Sequence, residues 1–256
     1  MHRGPADPFG DWCAALERRH LSRLTFQEVR RGLQALSSLY VERRGCLGAG
    51  RALEGEGKRA AFALFYGPLH YLLVRRIVEA LGAVRPAPER IVDLGCGTGA
   101  AGAAWSLAAG GKPTVTGVDR NAWAVEEATW NLRALGVRGQ GRRGDLESTP
   151  LTGGGEAILL AYTVNELEAD PRRRLLERLI AAARRGAQAL VVEPIAKRSI
   201  PWWSEWSEAF RAAGGREDAW RFPVELPERL RLLDRAAGLD HRELTGRSLW
   251  LRSGRS

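Results

Sequence analysis

Lysine is almost missing from this chain. Only Lys58, Lys112 and Lys197 occur, so the 39 basic residues behind a net charge of +9 are nearly all arginine. A basic surface suits nucleic acid or a ribosomal partner. The same bias, with abundant Ala and Gly, is also what a GC-rich genome encodes. The basic residues are dispersed, and their densest groups, Arg142-Arg143 and Arg172-Arg173-Arg174, have the length of solvated faces. Cysteine is scarce as well. Cys13, Cys46 and Cys96 are scattered, which argues against a disulfide framework or a zinc site. The four histidines, His2, His20, His70 and His241, are not paired at ligand spacing with the cysteines, so no metal is expected. No apolar run approaches the ~20 residues of a membrane span. Met1 to Trp12 mixes Arg3, Asp7 and Asp11 with two prolines and has no apolar core of a signal peptide. These scarcities predict a reduced, cytoplasmic protein. No internal repeat or low-complexity tract stands out.

What is present is an α/β alternation. A length of 256 residues accommodates one α/β domain with an added element. Leu16, Leu21, Leu24, Val29, Leu33, Leu36, Leu39 and Tyr40 recur near helical spacing, so residues 12–82 are expected to be helical. A glycine-rich break at Gly45 to Gly57 interrupts them, and Pro86-Ala87-Pro88 ends them. Beyond Glu89 the pattern alternates. Strands are expected at Arg90–Leu94, Thr114–Asp119, Val137–Arg143, Ala157–Thr163 and Ala187–Glu193, with helices at 99–109, 121–135 and 171–185. The tail reads as Trp220–Leu226, a helix around Leu230 to Ala236, and an edge strand at Ser248–Leu251. Such alternation implies a parallel sheet covered on both faces. The expected division is a helical cap over 1–86 and a cofactor-binding domain over 87–256.

The sharpest signal is Ile91-Val92-Asp93-Leu94-Gly95-Cys96-Gly97-Thr98-Gly99, followed by Val115-Thr116-Gly117-Val118-Asp119. Glycines let a chain leave a strand, turn sharply and approach a ligand where a Cβ would clash. A carboxylate at the end of the next strand can accept both hydrogen bonds of a ribose diol. The Gly95-x-Gly97-x-x-Ala100 spacing also fits a dinucleotide fingerprint, which keeps a nicotinamide-dependent oxidoreductase as an alternative. The loop Gly95-Cys96-Gly97-Thr98-Gly99, with Asp93 two residues ahead of it, resembles the first motif of class I S-adenosylmethionine (SAM)-dependent methyltransferases.

That resemblance covers about residues 89–195. It implies a Rossmann-like class I methyltransferase sheet with an N-terminal helical extension, and SAM as cofactor with S-adenosylhomocysteine as product. It places Asp93 toward the cofactor's ammonium, Gly95, Cys96, Gly97 and Gly99 along its methionine part, and Asp119 on the ribose. Asp145, in Gly144-Asp145-Leu146, matches the family's adenine-contacting acid, and Arg120, Asn121, Leu146 and Tyr162 complete the expected cofactor set. Trp123 lines the same pocket or packs its helix.

Acceptor chemistry is expected at the fourth and fifth strand ends. Asn165 and Glu166 follow Tyr162-Thr163-Val164, and Glu193 ends the fifth strand. Glu166 is either a site carboxylate or a helix-start carboxylate favoured by the dipole. Glu193 is a base, an orienting group or, first in rank, a structural hydrogen-bond partner. His70 is a further candidate base, although a lone histidine beside apolar residues is usually packed. The family's Asn/Asp-Pro-Pro-aromatic motif, used in methylating nucleobase and glutamine amino groups, is absent. Trp202, Trp203, Trp206 and Phe210 cap the acceptor pocket or form core. The expected site is a pocket holding Asn165, Glu166 and Glu193, roofed by the N-terminal segment near Tyr66 and His70 and by Trp202–Trp206.

A second pattern spans about residues 30–200: Leu36-Ser37-Ser38-Leu39-Tyr40, Ala60 to Pro68, the glycine loop, Asn165-Glu166-Leu167 and Val192-Glu193-Pro194. Its order is similar to that of mitochondrial small-ribosomal-subunit assembly methyltransferase-like proteins and their bacterial relatives. This likeness implies a SAM-binding assembly factor with rRNA or the ribosomal subunit as partner.

Overall fold

The computed structural model describes residues 8–42, 53–195 and 200–252, with the side chains of 39–42 excepted. His2, Cys46, Lys197, the side chains of Leu39 and Tyr40 and most of the Gly45–Gly57 break lie outside the described residues. Helix α1 is Pro8–His20, α2 is Phe26–Glu42 and α3 is Glu56–Ala61. A π-helical turn, Phe62–Tyr66, leads into α4, Gly67–Ala80. Then come β1 (Arg90–Leu94), α5 (Ala100–Ala108), β2 (Thr114–Asp119), α6 (Ala122–Ala134), β3 (Gly139–Arg143) and β4 (Glu156–Ala161). A 3-10 turn, Val164–Glu166, precedes α7 (Ala169–Arg184) and β5 (Gln188–Glu193). The chain closes with α8 (Trp203–Ala212), β6 (Arg216–Pro223), α9 (Glu228–Ala236) and β7 (Glu243–Arg252).

The seven strands form one sheet in the order β3-β2-β1-β4-β5-β7-β6. β1 to β5 run parallel, and β7 runs antiparallel between β5 and β6. Period-two alternation divides the strand side chains between two cores. Ile91, Leu159, Leu190 and Val192 join α1, α2, α4 and α5 on one face. Val92, Leu94, Ile158, Leu160 and Val191 join α7 and α8 on the other. The expected α/β class is therefore the observed one, and the N-terminal helices share a core with the sheet. No helix among the described residues is long and apolar enough to cross a membrane.

Three sequence expectations need correction. The final strand is not at the edge: β7 lies inside the sheet, and β6 takes the outer position. β6 begins at Arg216 rather than Trp220, because Arg216, Glu217 and Asp218 are polar strand residues of the kind an edge tolerates. β3 begins at Gly139 rather than Val137. The Val137 amide instead donates to Leu132 O at 2.8 Å, which finishes α6, and its side chain is buried in the helical core.

Candidate active site at the carboxyl ends of the strands

The glycine loop runs from β1 into α5 with Gly95, Gly97 and Gly99 at φ of +69°, +51° and +70°. It is held from four sides. From β2, Val118 O accepts the Gly95 and Cys96 amides, and Asp119 Oδ2 accepts the Gly97 amide at 3.0 Å. From α6, Asn131 Nδ2 donates to Thr98 O at 3.0 Å. From the π-helical turn, the Phe62 ring lies 3.2 Å from where a methyl group on Gly97 would sit. Thr163, after β4, donates to Gly95 O at 3.3 Å. Phe62, Thr163 and Asn131 were not among the expected site residues. Phe62 and Asn131 approach the loop from segments distant in sequence, and no local motif marks them.

The expected cofactor residues gather at this end of the sheet. Asp93 is buried; its Oδ2 accepts the Gly102 amide at 3.0 Å, while its Oδ1 is buried without a partner. Burial, with a lesser push from the like charge of Asp119, raises its carboxyl to about 7. Asp119 accepts the Asn121 amide on Oδ1 at 2.8 Å, and the Asn121 side chain caps α6 on the Ala124 amide. Arg120 pairs with Asp145, whose Oδ1 takes the Glu147 amide. That backbone hydrogen bond and the guanidinium hold the Asp145 carboxyl below its usual range. Leu146 is buried in the core, and Arg178 donates to its carbonyl. The Cys96 thiol is turned away from the loop's outer face into a notch: a methyl group on Gly117 would lie 2.7 Å from Sγ. Trp123 packs against the helical core with the Arg59 guanidinium 5.9 Å from its ring.

The acceptor candidates separate into three kinds. Glu193 is buried, and its Oε1 accepts the Val164 amide at 3.2 Å, so it caps the 3-10 turn; its Oε2 has no partner. Burial raises its carboxyl to about 8. This is the structural hydrogen-bond role ranked first for it. Glu166 stands at the exposed end of the same turn. Partial desolvation by the surrounding cleft, then the charge of Asp119, raise its carboxyl to about 7. Asn165 Oδ1 accepts the Trp202 indole N–H at 2.8 Å.

His70, on α4, stacks on Tyr162 at 4.2 Å between ring centres, with Phe62 edge-on to it and Tyr66 tilted against it. Burial lowers its imidazole to about 4, so it is neutral at pH 7. Tyr162 itself sits at φ +61°, a conformation rare outside glycine that commonly marks a functional turn. Of the expected roof, His70 thus lies against Tyr162, with Phe62 against the glycine loop. The tryptophan half is corrected: Trp203, Trp206 and Phe210 are buried in the core under α7 and α8, and only Trp202 reaches the site, through Asn165. Three large rings at helical spacing have more apolar surface to bury against the sheet than a cleft wall would cover. Among the described residues no group of His, Cys, Asp and Glu gathers as a metal site.

Residues 91–186 match the methyltransferase-domain family. Over this stretch, a little over a third of the chain, the protein is similar to that family. A methyltransferase domain is that of an enzyme, and the match favours a methyl donor over the nicotinamide alternative. Among solved structures, a protein from Nostoc punctiforme assigned as an O-methyltransferase is 14% identical, with a TM-score of 0.54 over 94% of this chain and 72% of that one. The mitomycin 7-O-methyltransferase MmcR is 16% identical, with a TM-score of 0.52 over 97% of this chain and 74% of that one. At such identities the likeness is one of fold. No curated protein matches the chain.

Proposed function

We propose that the methyltransferase domain transfers the methyl group of SAM to an acceptor held at the ends of β4 and β5, beneath Phe62, Tyr66 and His70. The observation that carries this reading is convergence. The glycine loop, Asp119, the Tyr162–His70 stack and Glu166 come from four separate segments and meet at one end of the sheet, where open α/β sheets bind ligands. The residues fit the cofactor. Asp93 Oδ1 is a buried acceptor without a partner, and Asp93 and Asp119 flank the loop with carboxyl groups suited to an ammonium and a ribose. Asp119 would hold the ribose hydroxyls on lone pairs left free by its backbone bonds. The Gly95–Gly99 backbone would border the methionine part, and Asp145 with Leu146 the adenine.

SAM supplies, when bound, a methyl group on an already good leaving group. The chain's own contribution is alignment and exclusion of water, worth up to about 7–11 kcal/mol in the best intramolecular cases. Phe62, Tyr66 and His70 form an apolar cover. Glu166, poised near neutral pH and open to the cleft, is the group available to take a proton from an acceptor hydroxyl or amine. Asn165 is steadied by Trp202, and Glu193 fixes the 3-10 turn on which Glu166 rides. An rRNA or ribosomal-subunit acceptor remains a second proposal, supported by the +9 net charge.

Calorimetric titration tests the cofactor half: S-adenosylhomocysteine should bind and NAD should not. Labelled-methyl transfer from SAM into fractionated lysate tests the acceptor half. Labelling of rRNA would favour the second proposal. An absence of S-adenosylhomocysteine binding would remove both.

A further inference from the structure

We propose that Asn131 is a positioning residue through which the docking of α1 sets the cofactor loop. Asn131 lies on α6 and is fully buried. Its Oδ1 accepts the indole N–H of Trp12 on α1 at 2.7 Å, and its Nδ2 donates to the carbonyl of Thr98 in the loop at 3.0 Å. Trp12 and Thr98 are buried too. An indole nitrogen only donates and a carbonyl only accepts, so one orientation of the amide satisfies both partners. Trp12 therefore dictates which way Asn131 faces, and Asn131 in turn holds the peptide between Thr98 and Gly99. That peptide leads into Gly99, which at φ +70° packs against Ala128, one turn before Asn131 on α6.

The α1–α6 contact is built to keep Trp12 in place. One turn before Asn131, Glu127 is buried and accepts from Arg19 Nε at 3.1 Å and meets His20 Nε2 at 2.8 Å, both on α1. The Trp12 ring also packs on Phe9 and Tyr71, with centroids 5.9 Å and 5.4 Å away. Removing the indole N–H would leave Asn131 Oδ1 buried and unpaired, which favours loosening or flipping of the amide and frees Thr98 O. An N-terminal helix with no residue at the expected cofactor contacts thereby influences cofactor affinity.

The inference rests on the loop being the cofactor site. Its test uses the full chain, wild type and three variants: Trp12→Phe, Asn131→Asp and the two combined. Two readouts are needed, the affinity for S-adenosylhomocysteine by calorimetry and amide hydrogen exchange across residues 95–102 without ligand. Each single change should weaken affinity by about two- to tenfold, the worth of one buried hydrogen bond. The double variant should lose little more than the weaker-binding single, because both act through one amide. Loop amides should exchange faster while those of β4 and β5 stay protected. If Asn131→Asp does not fold, Trp12→Phe alone decides by both readouts. Affinity within about twofold of wild type, or faster exchange spread evenly over the sheet, would overturn the proposal. A wild-type protein that fails to bind S-adenosylhomocysteine, but whose loop still loosens in Trp12→Phe, would overturn the cofactor-site reading and leave the α1–loop coupling.

Discussion

Both oxygens of Asp119 already accept a backbone amide, from Gly97 and from Asn121. The carboxylate therefore shapes the loop as well as offering lone pairs to a ribose. Asp119→Ala should weaken S-adenosylhomocysteine binding by about 2 kcal/mol or more, measured by calorimetry; unchanged affinity would rule out this placement. Glu166 stands instead on the 3-10 turn, with its outer side exposed and its carboxyl facing the charge of Asp119. Its carboxyl is protonated below about 7 and ionised above it. As a base it makes kcat/KM rise with pH through about 7 and then level. Glu166→Gln should remove that limb and lower turnover while leaving S-adenosylhomocysteine affinity nearly intact. A variant with wild-type turnover and an unaltered pH profile would remove Glu166 from the chemistry.

Among the elements, the N-terminal helices pack closely enough for backbone to touch backbone. A methyl group on Gly32 of α2 would lie 2.2 Å from Gly57 O in α3. Backbone cannot yield as a side-chain tip can, so Gly32→Ala must separate the two helices. We expect a loss of about 2 kcal/mol or more, seen as a fall in Tm of ~4 °C or more by calorimetric scanning. A Tm within a degree of wild type would show that the α2–α3 contact relaxes freely. The π-helical turn between α3 and α4 matters for a different reason. It brings Phe62 over the glycine loop and, one turn on, His70 over Tyr162, so that one irregular turn covers two parts of the site.

For the whole molecule, three buried groups link stability to pH, and Glu166, raised to about 7, adds to the two carboxyls among them. Asp93 is raised to about 7, Glu193 to about 8, and His70 is lowered to about 4. Above about pH 7.5 the imidazole is neutral both folded and unfolded, and from pH 6.5 to 7.5 its remaining contribution is outweighed by the carboxyls. In that range the folded protein holds more protons than the unfolded chain, and stability falls as pH rises toward 8. Below pH 6.5 the histidine works in the opposite direction, removing stability as acidity grows. The Tm of the ligand-free protein should therefore decline from pH 6.5 to 8.5, and Glu193→Gln should flatten that decline while still accepting the Val164 amide. A flat wild-type profile would show that Asp93, Glu166 and Glu193 ionise as freely folded as unfolded.

The glycine loop, the aspartate ending β2 and the α/β alternation were legible in the linear chain, because each depends on local geometry: a sharp turn, a strand end, a period of side-chain burial. The stripe of α7, Leu175, Leu176 and Leu179, was legible for the same reason. Tertiary structure alone decided that Trp203, Trp206 and Phe210 form core, because either face of a helix with that spacing can be the buried one until a sheet is laid against it. It also decided that Glu193 caps a turn, that Asp93 faces Gly102, and that β7 lies inside the sheet. Each of these depends on a partner far away in the chain. The reach of Trp12 through Asn131 to Thr98, across sequence separations of 119 and 33 residues, is the clearest case. No periodicity encodes it; only the packing of α1 on α6 brings those three polar groups within hydrogen-bonding distance.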